Sequence, residues 1–211
     1  MLPTPTYNSL TKSNLKELVY EPSEDTFLFL DALEQELTHL RKLNPLLALE
    51  IGSGSGVVIT FLGKYLKTET LYLAVDINKN ACLASKETSI ENNIDLNIIQ
   101  SDLLLSFKPN TLDIILFNAP YVPSELNEID SNNISSSWAG GDSNGRQVMN
   151  RLFPLIPNIL TQNGVFYLVC IKQNKIKEIE NIFIEFNFKM EIILTRKTLI
   201  ENLFVLKFYR K

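Results

Sequence analysis

The run Leu46-Leu47-Ala48-Leu49-Glu50-Ile51 passes without a break into Gly52-Ser53-Gly54-Ser55-Gly56. It is apolar but for one carboxylate and shows no polar–apolar alternation. That pattern predicts a strand buried on both faces, the usual setting of a parallel sheet. Glycines allow the backbone to turn sharply and to approach a ligand closely. A buried strand that ends on such a turn and feeds a helix predicts an open α/β sheet.

The rest of the chain keeps that rhythm. Phe27, Leu30, Leu33, Leu37 and Leu40 recur at spacings of three and four, marking the apolar face of a helix that starts near Ser23. After the glycines come a helix to about Lys67, a strand Leu71 to Val75, a helix Asn80 to Asn92, and strands Leu96 to Gln100 and Leu112 to Phe117. A Ser/Asn/Gly-rich stretch from Val122 to Asn144, anchored by Trp138, is long enough to be expected beside a substrate. A helix from about Gly145 to Leu160, a strand Val165 to Val169, a helix Lys175 to Phe186 and strands Lys189 to Thr195 and Leu203 to Tyr209 complete the chain. The last link is too short for a helical crossover and predicts an antiparallel hairpin. The expectation is an α/β, Rossmann-like domain over residues 19–211 behind a lead-in of residues 1–18. Its seven-stranded sheet is mostly parallel, with an antiparallel C-terminal hairpin and helices on both faces.

Composition removes whole classes of function. Twenty basic against 24 acidic side chains, with a net charge of −4, give none of the basic footprint that nucleic-acid phosphates select. His39 is the only histidine, and Cys82 and Cys170 lie in apolar segments without a CxxC partner. Neither a His-based triad, nor a metal centre, nor a disulfide framework is expected. The N-terminus lacks a signal-peptide core, and no apolar run reaches the roughly 18 residues of a membrane span. A reducing, cytosolic or nuclear location is expected.

Three features fall at the ends of successive strands. The glycine turn alone is shared with nicotinamide- and flavin-binding folds. Asp76, 24 residues after Gly52, can accept hydrogen bonds from both hydroxyls of a ribose, although alone it also reads as a helix N-cap. Asp102 follows the third strand, where it can receive the exocyclic amine of adenine; alone it is a turn aspartate. Together they point to an adenosine-containing cofactor in the crevice where open α/β sheets bind ligands. The fourth strand ends in Asn118-Ala119-Pro120-Tyr121. Asn118 offers a side-chain carbonyl, Ala119 a main-chain carbonyl, Pro120 rigidity and Tyr121 an aromatic wall. Two acceptors there can grip the hydrogens of an NH2 group.

With Glu50-Ile-Gly-Ser-Gly-Ser-Gly, Asp76 and Asp102, this tetrapeptide resembles the class I amino-methyltransferases whose hallmark is Asn-Pro-Pro-Tyr. Val19-Tyr-Glu-Pro-Ser-Glu-Asp-Thr-Phe27, Trp138-Ala-Gly-Gly141, Gly145-Arg-Gln-Val-Met149 and Phe166-Tyr-Leu-Val169 narrow the resemblance. They are similar to the eukaryotic and archaeal HemK-like glutamine N5-methyltransferases that act on the translation release factor, from about Val19 to Phe208. The resemblance implies S-adenosylmethionine as cofactor, held by Thr26, Glu50, Gly52, Gly54, Asp76, Asp102, Leu103 and Asn118. It implies Asn118, Ala119, Pro120 and Tyr121 as the catalytic set, with Asn118, Pro120 and Tyr121 on the substrate, the glutamine of a Gly-Gly-Gln loop. It further implies a heterodimer with a small zinc-binding activator protein, docked along the strand Leu96 to Gln100. Ala119 stands where the family has its first proline, which keeps the carbonyl and loses rigidity. Alternative readings are N6-adenine methylation of DNA or RNA, protein-lysine methylation, and an inactive cofactor-binding scaffold subunit.

Overall fold

A computed structural model describes residues 1–12, 14–104, 107–124, 137–142 and 144–211. The N-terminal segment carries α1 (Asn8–Lys12). The long helix α2 (Glu24–Leu43) begins where expected, with the Ser23 N–H donating to Thr26 Oγ1 at 3.3 Å and with Glu24 and Asp25 in its first turn. Acidic side chains there face the positive end of the helix dipole. There follow β1 (Leu47–Ile51), α3 (Val57–Leu66), β2 (Leu71–Asp76), α4 (Lys79–Glu91), β3 (Leu96–Gln100) and β4 (Leu112–Asn118). All four strands are parallel: β1 pairs with β2 and β4, and β3 pairs with β2.

The second half departs from its sequence reading at three places. β5 (Val122–Pro123) and β6 (Ala139–Gly141) form a separate small pair, too short to leave a periodic signal. The helix expected over residues 145–160 is instead α5 (Gln147–Leu152), a 3-10 turn (Phe153–Leu155) and α6 (Ile156–Ile159). Pro154 and Pro157 lack the N–H that a continuous helix needs, and each opens one of the short segments. The next strand, β7 (Leu160–Ile171), starts five residues earlier than the apolar run suggested, because Leu160 pairs with Leu112 before the register shifts to Val165 with Ile114. Then come α7 (Ile176–Glu185), β8 (Phe188–Lys197) and β9 (Asn202–Arg210).

The main sheet has seven strands in the order β3-β2-β1-β4-β7-β9-β8, with β9 antiparallel to both its neighbours. Side chains alternate between the faces of a strand, and β7 and β9 use both. Tyr167 Oη and Lys207 Nζ each donate to Glu36 Oε2 of α2 at 2.6 Å. The neighbouring Phe166 and Phe208 meet Phe183 of α7, at ring centroid distances of 5.8 and 4.0 Å. Helices therefore cover both faces, as the alternation of elements predicts. Described residues before Val19 pack on α4. Leu10 and Val19 bury themselves against Ala81 and Ala84 of α4, and Asn92 exchanges two hydrogen bonds with the backbone of Thr6.

Phe183 is fully buried between Phe153, Phe166, Phe188 and Phe208. Phe183→Ala is expected to cost about 3–5 kcal/mol of stability, read as a lowered midpoint in urea unfolding with an unchanged slope.

Candidate active site

The carboxyl ends of β1, β2 and β4 open onto one cavity of about 320 Å³. Its floor is the turn after β1, where the Gly52 N–H donates to Val75 O at 2.8 Å. Two glycines of this turn have different reasons to be glycine. At Gly56 (φ +74°) an added Cβ would lie 2.6 Å from Ser85 Cα, so α4 packs directly on the backbone there. Gly54 (φ +51°) has nothing within 4 Å of that position, and it borders the cavity. Its bare backbone is turned toward space that a ligand can fill.

Buried carboxylates hold this turn. Asp76 Oδ2 accepts from Gly54 N at 2.9 Å, and Oδ1 accepts from Asn78 N at 2.8 Å. Glu50 Oε2 accepts from Ile59 N, in the first turn of α3, at 2.9 Å. Burial pushes both carboxyls up from their ordinary range, Glu50 strongly, against the opposing pull of those backbone donors. Thr26 and Gly52 line the same cavity, as do Asp102 and Leu103 from the segment after β3. Asp102 is already engaged: its Oδ2 pairs with the Arg151 guanidinium of α5. Leu103 adopts a left-handed backbone (φ 52°) while its side chain is buried.

The other end of the cavity is built around Asn118. Its Nδ2 donates to Asp25 Oδ2 at 3.0 Å, whereas its Oδ1 is buried without any hydrogen-bond partner. A buried carbonyl oxygen left unpaired costs on the order of 1–3 kcal/mol, and Asn118 lines the cavity. The Tyr121 hydroxyl lies 3.3 Å from both Asp25 Oδ2 and Glu201 Oε1. Burial, then the Asp25 charge, raise its pKa far above the usual phenol range, so Tyr121 stays protonated. Ala119 is buried and Pro120 half-buried in the same wall. Tyr20 and Trp138 also line the cavity, their ring centroids 6.4 Å apart. Burial and Asp25 push the Tyr20 phenol up to about 12. Of the loop over residues 122–144, residues 125–136 and 143 lie outside the described residues, and Ser137 and Trp138 border the cavity.

Three contributors carried no assigned role in the sequence reading. Asp25 lies inside the Val19-to-Phe27 segment, yet its Oδ2 partners come from the end of β4 and the residues after it. Glu201 arrives from the turn between β8 and β9. Asn174, fully buried after β7, donates from Nδ2 to Tyr121 O and Asn144 O, both at 2.8 Å, and accepts from Ile171 N at 2.7 Å. The spacing of residues in a sequence holds no signal for such long-range partners. Chemically, one end of the cavity offers carboxylates and exposed backbone suited to a nucleoside. The other offers an orphan carbonyl oxygen suited to an N–H donor.

Residues 26–133 match the family model of the methyltransferase small domain. The chain is 42% identical over 193 residues to human methyltransferase HEMK2, covering 90% of this chain and 89% of that protein. It is 38% identical over 226 residues to the eRF1 methyltransferase catalytic subunit mtq2 of Schizosaccharomyces pombe, covering 100% of this chain and 96% of the relative. Among solved structures it resembles the E. cuniculi Mtq2–Trm112 complex, responsible for methylation of the eRF1 translation termination factor. That match has a TM-score of 0.71 and 28% identity, over 92% of this chain and 99% of the other.

The Glu50 carboxyl yields a pH signature. A group whose pKa is higher folded than unfolded binds protons more tightly in the fold, so it favours folding at low pH and that contribution is lost as pH rises. Glu50→Gln keeps an acceptor oxygen for the Ile59 N–H and removes the titration. Relative to this variant, the wild type is expected to lose melting temperature progressively as pH is raised from the ordinary carboxyl value of 4.5 through the folded value. A difference that is constant with pH would mean that folding leaves the Glu50 pKa unshifted.

Proposed function

Because the chain belongs to the methyltransferase small-domain family, and within it to the release-factor glutamine methyltransferases, we propose that it methylates the side-chain nitrogen of the Gly-Gly-Gln glutamine of a translation release factor. The methyl donor in this reading is S-adenosylmethionine. The observation that carries it is the buried, unpartnered Oδ1 of Asn118 at the cavity wall. An oxygen kept dry and unpaired at that position is an acceptor waiting for a donor.

The cavity fits such a cofactor on its own chemistry. Each carboxylate oxygen can accept two hydrogen bonds. Asp76 can therefore take ribose hydroxyls while it keeps Gly54 N and Asn78 N. The open side of Gly54 admits close approach, and Thr26, Glu50, Gly52 and Leu103 complete the lining. The Arg151 pair uses Asp102 Oδ2, which leaves Oδ1 for an exocyclic amine. When bound, the cofactor supplies a methyl group on a positively charged sulfur.

The protein's part is to hold the acceptor. An amide nitrogen is a weak nucleophile because its lone pair is delocalised into the carbonyl. Asn118 Oδ1 and the Ala119 main-chain carbonyl accept the two N–H groups and turn the lone pair outward, into a near-attack orientation. The Tyr121 ring packs on the planar amide, with Pro120 stiffening the turn. Tyr121 cannot act as a base, since its pKa is raised. Positioning thus supplies most of the rate, and the surplus proton leaves the nitrogen after methylation.

The same reading includes a small zinc-binding activator as the second subunit, with the reaction set in the cytoplasm. β3 pairs only with β2 among the described residues, so its outer edge presents unpaired N–H and C=O groups. Ile98 and Ile99 are half-buried along that edge, and a partner that covers it removes an aggregation liability.

Asn118→Ala is expected to slow transfer at saturating cofactor about 10²–10³-fold, as when an oxyanion-hole donor is removed. Asp76→Ala is expected to weaken cofactor binding about tenfold or more, the worth of hydrogen bonds to a charged group. Labelled methyl transfer to purified release factor, with and without the activator, and titration calorimetry of the cofactor check both. Equal labelling by wild type and Asn118→Ala, or labelling that survives loss of the acceptor glutamine, sinks the assignment.

A further inference from the structure

The two ends of an asparagine amide are nearly the same size, so packing alone does not decide which of them faces the cavity. Hydrogen-bond partners decide it. Asn118 Nδ2 lies 3.0 Å from Asp25 Oδ2, and an ionised carboxylate only accepts. Rotating the amide by half a turn would set Oδ1 against that carboxylate and put the NH2 group where the unpartnered Oδ1 now lies. The pocket would then present donors to a substrate that also brings donors.

We propose that Asp25 is the positioning residue of the acceptor site: its carboxylate holds the Asn118 amide with Oδ1 toward the substrate and anchors the Tyr121 hydroxyl beside it. The inference rests on the role given above to Asn118. Asp25 is buried and is itself firmly seated. Oδ1 accepts from Thr26 N at 2.7 Å, with Thr26 Oγ1 and Tyr20 Oη each at 3.4 Å. Oδ2 receives Asn118 Nδ2, with the Tyr121 hydroxyl at 3.3 Å. Its position in the first turn of α2 sets the negative charge against the positive end of the helix dipole. Oδ1 is thus directed by donors from α2 and its approach, and Oδ2 passes that orientation to the end of β4. The charge also polarises the amide. A charge-assisted N–H···O⁻ bond draws the amide dipole toward Oδ1 and strengthens it as an acceptor.

The test is Asp25→Asn, alone and combined with Asn118→Ala. Asp25→Asn in the wild-type background is expected to lower kcat about 10- to 100-fold, the range for losing a hydrogen bond to a charged group, with little change in cofactor affinity. In the Asn118→Ala background it is expected to slow the residual transfer by far less, because the residue it acts through is already gone. A second readout needs no substrate: the Asn118 side-chain amide protons, shifted downfield by the carboxylate in 15N-edited spectra, are expected to return toward free-amide values in Asp25→Asn. Equal slowing in both backgrounds, or an unchanged Asn118 resonance, overturns the proposal. Should Asp25→Asn not fold, Asp25→Glu keeps the charge and moves it by one methylene. It is expected to shift the same resonance and to lower kcat, and an absence of both changes is equally fatal. Because the resonance is read on the protein alone, failure of wild type to label release factor defeats the substrate reading and leaves this inference to be judged separately.

Discussion

Hydrogen bonds from backbone N–H groups to two buried carboxylates hold together the part of the molecule on which everything else is arranged. Glu50 and Asp76 stand at the ends of adjacent parallel strands, where Ile51 pairs with Val75. One receives the first turn of α3, the other the N–H of Gly54. Between them they clamp the glycine turn at both ends. The arrangement is costly, because burial disfavours both charges and Asp76 raises Glu50 further. Apolar side chains would be cheaper in that place, but they could neither fix the backbone of the turn nor offer lone pairs to a ligand. Groups with strongly perturbed ionisation gathered in a cleft are the expected mark of a functional site.

The Asn118 side of the cavity is held by different means. Its parts come from the start of α2, the end of β4 and the turn before β9, with Asp25 and Asn118 separated by 93 residues and Tyr121 and Glu201 by 80. They meet only because α2 is fastened across the sheet. Lys207 of β9 joins Glu36 at 2.6 Å, and Arg196 of β8 reaches Asp31 at 2.5 Å and Glu24 at 3.2 Å. The ion pair with Lys207 is largely buried and shares its carboxylate with Tyr167, which makes it a fixed joint rather than a surface contact. The geometry of the glycine turn is therefore local to two strand ends, whereas that around Asn118 is a property of the whole fold.

That division explains what could be read from the sequence. The glycine turn, Asp76, Asp102 and Asn118 each follow a strand whose apolar run is visible, and their convergence on one crevice is a consequence of parallel topology. The apolar stripe of α2 and the final hairpin were equally legible. Asp25 and Asn174 were not, because what matters about them is the identity of a remote partner. The expected helix over residues 145–160 failed for a local reason, since its apolar spacing outweighed Pro154 and Pro157 in the reading but not in the chain. Leu96, Ile98 and Ile99 fit a core strand and an edge strand alike, and only the order of the sheet places β3 outermost.

Ala119 shows how the two kinds of constraint trade against each other. A proline at that position would stiffen the turn by fixing one dihedral, whereas alanine leaves it free. Here the turn is restrained from outside. The Tyr121 carbonyl accepts from Asn174 Nδ2 at 2.8 Å, and Asn174 also takes the Ile171 N–H, so the residue after Pro120 is tied to the end of β7. The hydroxyl of the same tyrosine is held at its far end beside Asp25 and Glu201. Upstream, Asn118 is still within β4, paired with Val169, and its side chain is bonded to Asp25. With both neighbours fixed, a free dihedral at Ala119 has little room to move, and its carbonyl keeps its direction without a ring to enforce it. The rigidity that a proline carries covalently is here distributed over hydrogen bonds from three elements, which makes this turn dependent on side chains far from it in the sequence.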